Sequence, residues 1–274
     1  MSSSRLPTYY LSHGGGPWPW MKDQAGHTFD KLEAGLMDVR SELGDVPKAV
    51  LVISGHWETP QFEVSSAEYP GMEFDYYGFP EHLYQIKYGA PGAPLLAARV
   101  RDLLVAGGHA CKADPERGFD HGTFSLMKPL YPDANMPIVQ LSLRANLDPQ
   151  EHLSVGALLA PLRDEGVLII GSGSSYHNLR LRGPQAVAPG RAFDHWLEQT
   201  LVDVAPAERE ARLVQWQGAP AARLAHPRED HLLPLMVVVG AAADERGVRI
   251  YHEDNFMGGW VLSSWRLGPA PPLA

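Results

Sequence analysis

The chain carries one cysteine, Cys111, among 274 residues, so it holds neither an internal disulfide framework nor a cysteine-based zinc finger. It has no apolar run of membrane-spanning length, and its start, Met1-Ser-Ser-Ser-Arg-Leu-Pro7, lacks the apolar segment of a signal peptide. Positive charge is also scarce. Lys and Arg number 23 against 32 Asp and Glu, a net charge of −9, and no basic run interrupts that balance. Such a surface argues against nucleic acid or an anionic membrane as partner. These absences predict a soluble, cytoplasmic protein; they leave the oligomeric state open. Several catalytic signatures are missing too. There is no Gly-x-Ser-x-Gly elbow for a serine hydrolase and no His-Glu-x-x-His helix of the common zinc proteases. Gly171-Ser-Gly-Ser-Ser-Tyr176 begins like a dinucleotide fingerprint, but Tyr176 replaces its last glycine, and no nucleotide cofactor is expected.

What is present is an ordinary globular composition, 45% hydrophobic and 20% charged, in a chain long enough to bury a large core. Short apolar segments bounded by turn residues predict strands at Thr8–Ser12, Ala49–Ser54, Ile138–Leu143, Val167–Gly171, Val248–His252 and near Trp260–Trp265. Between them, 3.6-residue periodicity predicts helices over Thr28–Leu43, Pro94–Ala106, Pro149–Leu162, Arg191–Val204 and Leu232–Ala243. Strands alternating with helices predict an α/β fold, a central β-sheet flanked by helices on both faces. No linker separates two domains, so residues 1–274 read as a single domain with a frayed tail at 268–274. The stretches Tyr69–Pro80 and Arg182–Gly190, rich in Pro and Gly, read as surface loops of the kind that contact substrates.

The chain has 12 histidines, and several fall at telling positions. His13 follows the first predicted strand and precedes Gly14-Gly-Gly16. His56 follows the second through Gly55. His177 comes shortly after the strand that Gly171 closes. Open α/β sheets bind ligands beyond the carboxyl ends of their strands, which is where these three histidines fall. His121, in Gly118-Phe-Asp-His-Gly122, reads as part of a turn between helix and strand. His231, in Pro227-Arg-Glu-Asp-His-Leu-Leu-Pro234, stands at the entry to an apolar helix, whose partial positive charge favours a neutral imidazole. The other seven histidines (His27, His82, His109, His152, His195, His226 and His252) read mostly as solvated.

For any one of these histidines, a hydrogen bond within the core is the simpler account. The repeated pairing of strand end with glycine favours a metal site. Imidazoles without thiolates suit iron, zinc, copper or nickel rather than magnesium or calcium. A zinc hydrolase and a non-catalytic binding protein are alternatives to a redox enzyme at this point. Trp18, Trp20, Trp57, Tyr76 and Tyr77 could wall a pocket for a flat substrate, with core packing as the competing reading.

Taken together, Leu11-Ser-His-Gly14, Ser54-Gly-His-Trp57, Gly118-Phe-Asp-His-Gly122, Ser174-Ser-Tyr-His-Asn-Leu179 and Glu229-Asp-His-Leu-Leu-Pro234 resemble the class III extradiol ring-cleavage dioxygenases, above all their DOPA 4,5-dioxygenase subgroup. Pro137-Ile-Val-Gln-Leu-Ser142 and Leu162-Arg-Asp-Glu-Gly166 are similar to that subgroup as well, so the likeness runs over nearly the whole chain. The resemblance implies a single catalytic α/β domain over residues 1–274 with a mixed central β-sheet, a non-haem iron(II) enzyme that opens a catechol ring with O2 to a semialdehyde acid, incorporating both oxygen atoms. It implies His13, His56 and His231 as metal ligands, His177 as a substrate-facing acid/base with a pKa near neutrality, and His121 as a catalytic neighbour that binds substrate or supports the site. Protocatechuate-type members pair two histidines with a glutamate; here the third position is His231, as in the DOPA type. Iron(II) is the cofactor implied for activity, with zinc(II) as an alternative occupant.

Overall fold

A computed structural model of the chain describes residues 5–44 and 46–271. The first four residues and the last three of the predicted tail therefore lie outside the described residues. Among the described residues, eight strands form one mixed sheet: β1 (Thr8–Ser12), β2 (Ala49–Thr59), β3 (Phe62–Ser65), β4 (Cys111–Asp114), β5 (Ile138–Arg144), β6 (Val167–Gly173), β7 (Gly247–Phe256) and β8 (Trp260–Leu267). Their spatial order is β4-β3-β5-β2-β6-β1-β8-β7. The four central strands β5, β2, β6 and β1 run parallel, and their residues are almost all buried because helices cover both faces. Antiparallel β8 and β7 extend one edge, and β3, antiparallel to β5, carries β4 at the other.

The end of β6 shows how the two faces are divided. At Gly171 and Gly173 a Cβ would strike the backbone of Pro234 and His231, so these positions face the helix Leu233–Ala242. Ser172, between them, points the other way and donates to the carbonyl of Gly122 at 2.5 Å, at the start of the helix His121–Leu130. Alternation along a strand produces this split. The helix Leu233–Ala242 (LPLMVVVGAA) is apolar on all sides and buried on nearly all of them, as a helix inside a core must be. It packs against Pro149–Leu159, while Asp30–Leu43 and His121–Leu130 pack together on the opposite face. Among the described residues, no helix is long and apolar enough to cross a membrane.

The structure corrects several expectations. β3 and β4 were not foreseen, being four residues each and too short to show a period. The helix His121–Leu130 also replaces the expected turn; Asp120 caps it, accepting from the Thr123 N–H at 3.0 Å. The supposed loop Arg182–Gly190 is mostly helix, since Pro184 opens a helix that runs to Glu198. Proline is tolerated in a first turn. Pro189 forgoes one backbone bond, but Ala186, Gly190, Phe193 and Leu197 align on one buried face and outweigh it. Tyr69–Pro80 does lack helix and strand.

Candidate metal centre

The parallel strands β1, β6 and β2 are neighbours, and their register places Leu11, Ser172 and Ser54 in one row. The chain just beyond that row supplies the site. His13 follows β1 directly. His56 was expected after its strand, yet β2 runs on to Thr59; the ladder to β5 shifts register between Ile53 and Glu58, and His56 lies within that irregularity. Such a break re-aims a side chain without ending the strand. His231 arrives from the opposite side, two residues before its helix. Its carbonyl accepts from Tyr10 Oη at 2.7 Å and from the Ser174 N–H at 3.1 Å.

Three imidazole nitrogens converge here. His56 Nε2 lies 3.1 Å from His13 Nε2 and 3.1 Å from His231 Nε2. The partners of the opposite ring nitrogens decide what these contacts mean. His231 Nδ1 donates to Asp230 Oδ2 at 2.8 Å. His56 Nδ1 stands 3.2 Å from Asp75 Oδ2, which favours a proton on that nitrogen. His13 Nδ1 meets Ser172 Oγ at 3.0 Å, and since that hydroxyl gives its own proton to Gly122, it accepts from His13. Each ring thus carries its proton on Nδ1 and presents a bare lone pair on Nε2. Facing lone pairs repel unless a cation lies between them. An outer N–H held by a carboxylate or hydroxyl is also the usual support of a metal-binding histidine.

Burial reinforces that state. It holds His13, His56 and His231 well below the ordinary imidazole range, with neighbouring imidazoles adding to the effect. Burial raises the Asp230 carboxyl to about 6, so at neutral pH it is ionised and accepts from His231. Glycine permits the crowding: a Cβ at Gly122 would come within 2.9 Å of His56 and Ser54, and one at Gly173 within 2.1 Å of the His231 carbonyl.

His121 and His177 flank the three. The His121 ring lies 3.9 Å from that of His56, and one nitrogen each of His13, His56 and His121 falls within a mutual 4.8 Å. Its Nδ1 donates to Asp75, 2.8 Å from Oδ1 and 2.9 Å from Oδ2. His177 stacks on His231 with centroids 3.4 Å apart and planes 14° from parallel. Its pKa departs from the near-neutral expectation, because burial and the nearby His121 lower it to about 4. At neutral pH it is a free base.

Two of the histidines read as solvated, His152 and His226, are fully buried. His152 Nδ1 donates to the Asp148 carbonyl and its Nε2 accepts from the Arg144 N–H, while His226 Nε2 donates to the Ser175 carbonyl at 3.0 Å. The aromatic candidates divide. Tyr76 lies 6.0 Å from His121, and Trp57 is buried beneath the Arg117 guanidinium at 4.9 Å. Trp18 packs on Phe29 in the core, and Tyr77 is 93% exposed and walls nothing. Sequence reasoning missed Asp75 and Ser172, both hydrogen-bonded to site histidines. Asp75 sits among aromatics in an aperiodic loop, and Ser172 looks like any small strand residue.

Residues 7–259 match the family described as the catalytic LigB subunit of aromatic ring-opening dioxygenase. The chain is 40% identical over 261 residues to the 4,5-DOPA dioxygenase extradiol of Beta vulgaris, covering 93% of each chain. It is 34% identical over 273 residues to the 4,5-DOPA dioxygenase extradiol of Escherichia coli K12, covering 98% of this chain and 97% of that one. The crystal structure of an uncharacterized protein from Escherichia coli K12 is similar with a TM-score of 0.75 at 29% identity, covering 96% of this chain and all of that one.

Proposed function

The chain belongs to the LigB family of aromatic ring-opening dioxygenases, and from that premise we propose that it is an iron(II)-dependent extradiol dioxygenase acting on a catechol-type substrate. The product would be a semialdehyde acid containing both atoms of O2. The observation that carries this reading is the meeting of three Nε2 atoms at the strand ends, with hydrogen-bond partners on Nδ1 of His13 and His231 and the Asp75 carboxylate beside Nδ1 of His56. In this reading His13, His56 and His231 hold the metal. Three neutral imidazoles suit iron(II), and they leave its charge free to balance a doubly deprotonated catechol. Iron(II) bound there would supply a Lewis acid for the catechol oxygens and an electron path to O2. Relatives named as 4,5-DOPA dioxygenases support a catechol as substrate.

The remaining roles belong to side chains. His177, a neutral base at neutral pH, takes a proton from a catechol hydroxyl on binding, and the negative charge then beside it stabilises the imidazolium. It returns that proton when the ring opens, acting as base and then acid. With Nδ1 committed to Asp75 and its ring beside those of His13 and His56, His121 orients the bound catechol. Tyr76, buried and edge-on to His121, helps exclude water on that side. The test is anaerobic reconstitution with Fe(II), followed by admission of O2 across a panel of catechols. Stoichiometric oxygen uptake with a coloured ring-opened product is the expected result; bound metal without uptake on any catechol would overturn the reading.

A further inference from the structure

We propose that Asp75, which is not one of the ligands assigned above, is a positioning residue that sets the metal-binding tautomer of His56 and locks His121 beside it. The inference rests on the metal reading just given and extends it to the loop Tyr69–Pro80. Asp75 Oδ1 accepts from the His121 backbone N–H at 3.0 Å and from His121 Nδ1 at 2.8 Å. Its Oδ2 lies 2.9 Å from His121 Nδ1 and 3.2 Å from His56 Nδ1. One carboxylate therefore faces the outer nitrogens of two site histidines. A carboxylate only accepts, so it draws the proton of each ring to Nδ1 and leaves Nε2 bare.

The loop delivers this group rigidly although it has no regular structure. The Glu73 N–H donates to the Phe119 carbonyl at 2.7 Å, and the Phe119 N–H donates to the Gly71 carbonyl at 2.9 Å. Tyr76 Oη, next in sequence to Asp75, donates to the Leu83 carbonyl at 2.5 Å. The segment preceding Asp75 is thus laced to the residues preceding His121, and the carboxylate is set before any metal arrives.

Substitution by asparagine gives an unusual expectation. The His121 backbone N–H can only donate, so it keeps the amide oxygen at the Oδ1 position. The amide NH2 then occupies the Oδ2 position and points donors at His56 Nδ1, which drives the His56 proton to Nε2 and blocks the metal. Alanine removes the acceptor but imposes no donor. Both variants lose the same charge, so the order between them isolates the hydrogen-bonding effect.

Cobalt(II) alone is the probe, titrated anaerobically into metal-free wild type, Asp75→Asn, Asp75→Ala and His13→Ala, with thermal melts of each metal-free protein. We expect Asp75→Asn to weaken cobalt binding about 10–100-fold, a typical effect for such a supporting partner, and Asp75→Ala to weaken it less. A merely space-filling role predicts the reverse, because asparagine matches aspartate in shape and alanine leaves a gap. Affinity for Asp75→Asn equal to wild type, or above that of Asp75→Ala, overturns the inference. Should Asp75→Asn not fold, wild-type affinity in Asp75→Ala overturns it. If wild type itself binds no more cobalt than His13→Ala, the metal reading falls, and the inference with it.

Discussion

Adding one methyl group to Gly173 should damage the site more than its size suggests. A Cβ at this last residue of β6 would stand 2.1 Å from the His231 carbonyl oxygen, where real contacts stay above 3.0 Å, so about 1 Å of retreat is required. The carbonyl cannot retreat freely, since Tyr10 Oη and the Ser174 N–H both hold it. Overpacking of this kind costs roughly 1–3 kcal/mol, which in a chain of this length lowers Tm by roughly 2–5 °C. The displaced backbone carries the His231 ring with it, and about 1 Å of misplacement at a reacting centre can cost on the order of 10²-fold in rate. Thermal melts, bound iron and oxygen uptake at saturating iron measure the three effects. Gly15→Ala is the control, because nothing lies within 4 Å of its Cβ position. A Gly173→Ala protein with wild-type Tm, iron content and turnover would refute the reasoning.

Other expectations follow from the same geometry. Ser172→Ala removes the acceptor for His13 Nδ1, so iron affinity should fall about 10–100-fold in a metal titration, with lowered Tm because the Gly122 carbonyl also loses its donor. His177→Ala should keep its iron and still bind catechol, yet turn over on the order of 10²–10⁴-fold more slowly; if it loses metal as completely as His13→Ala does, His177 is a ligand. Burial lowers His226 to about 3, below the ordinary imidazole value, so its contribution to stability is complete above about pH 6.5 and is lost as pH falls. Urea melts at pH 7 and pH 5 should therefore show a difference about 2 kcal/mol smaller for His226→Gln, which keeps a donor for the Ser175 carbonyl and cannot be protonated; an unchanged difference would show that burial does not hold the folded-state imidazole below its ordinary range.

The sequence revealed most where one strong pattern acts alone. Thr8–Ser12 and Pro94–Ala106 have the boundaries that their apolar pattern and Pro94 predict. Strand ends placed His13, His56 and His177 at one end of the sheet, and the family resemblance added His231, whose ring lies beside those of His13, His56 and His177. Long-range partners hid the rest. The helix His121–Leu130 depends on the Asp120 cap, and that carboxylate is itself held by Ser54 and Arg117. His152 and His226 look polar in sequence, yet each is buried with backbone partners that no local pattern announces. Asp75 reaches its two histidines from a loop 46 residues away from His121 in sequence.

The most direct test is the position of iron itself. Crystals grown and kept anaerobically with Fe(II), with anomalous scattering recorded at the iron edge, should show one peak within bonding distance of the Nε2 atoms of His13, His56 and His231. His177 should stand beside it, unbonded. A peak held instead by His177, Asp230 and His231, or by His121 in place of His231, would contradict the ligand assignment on which the account depends.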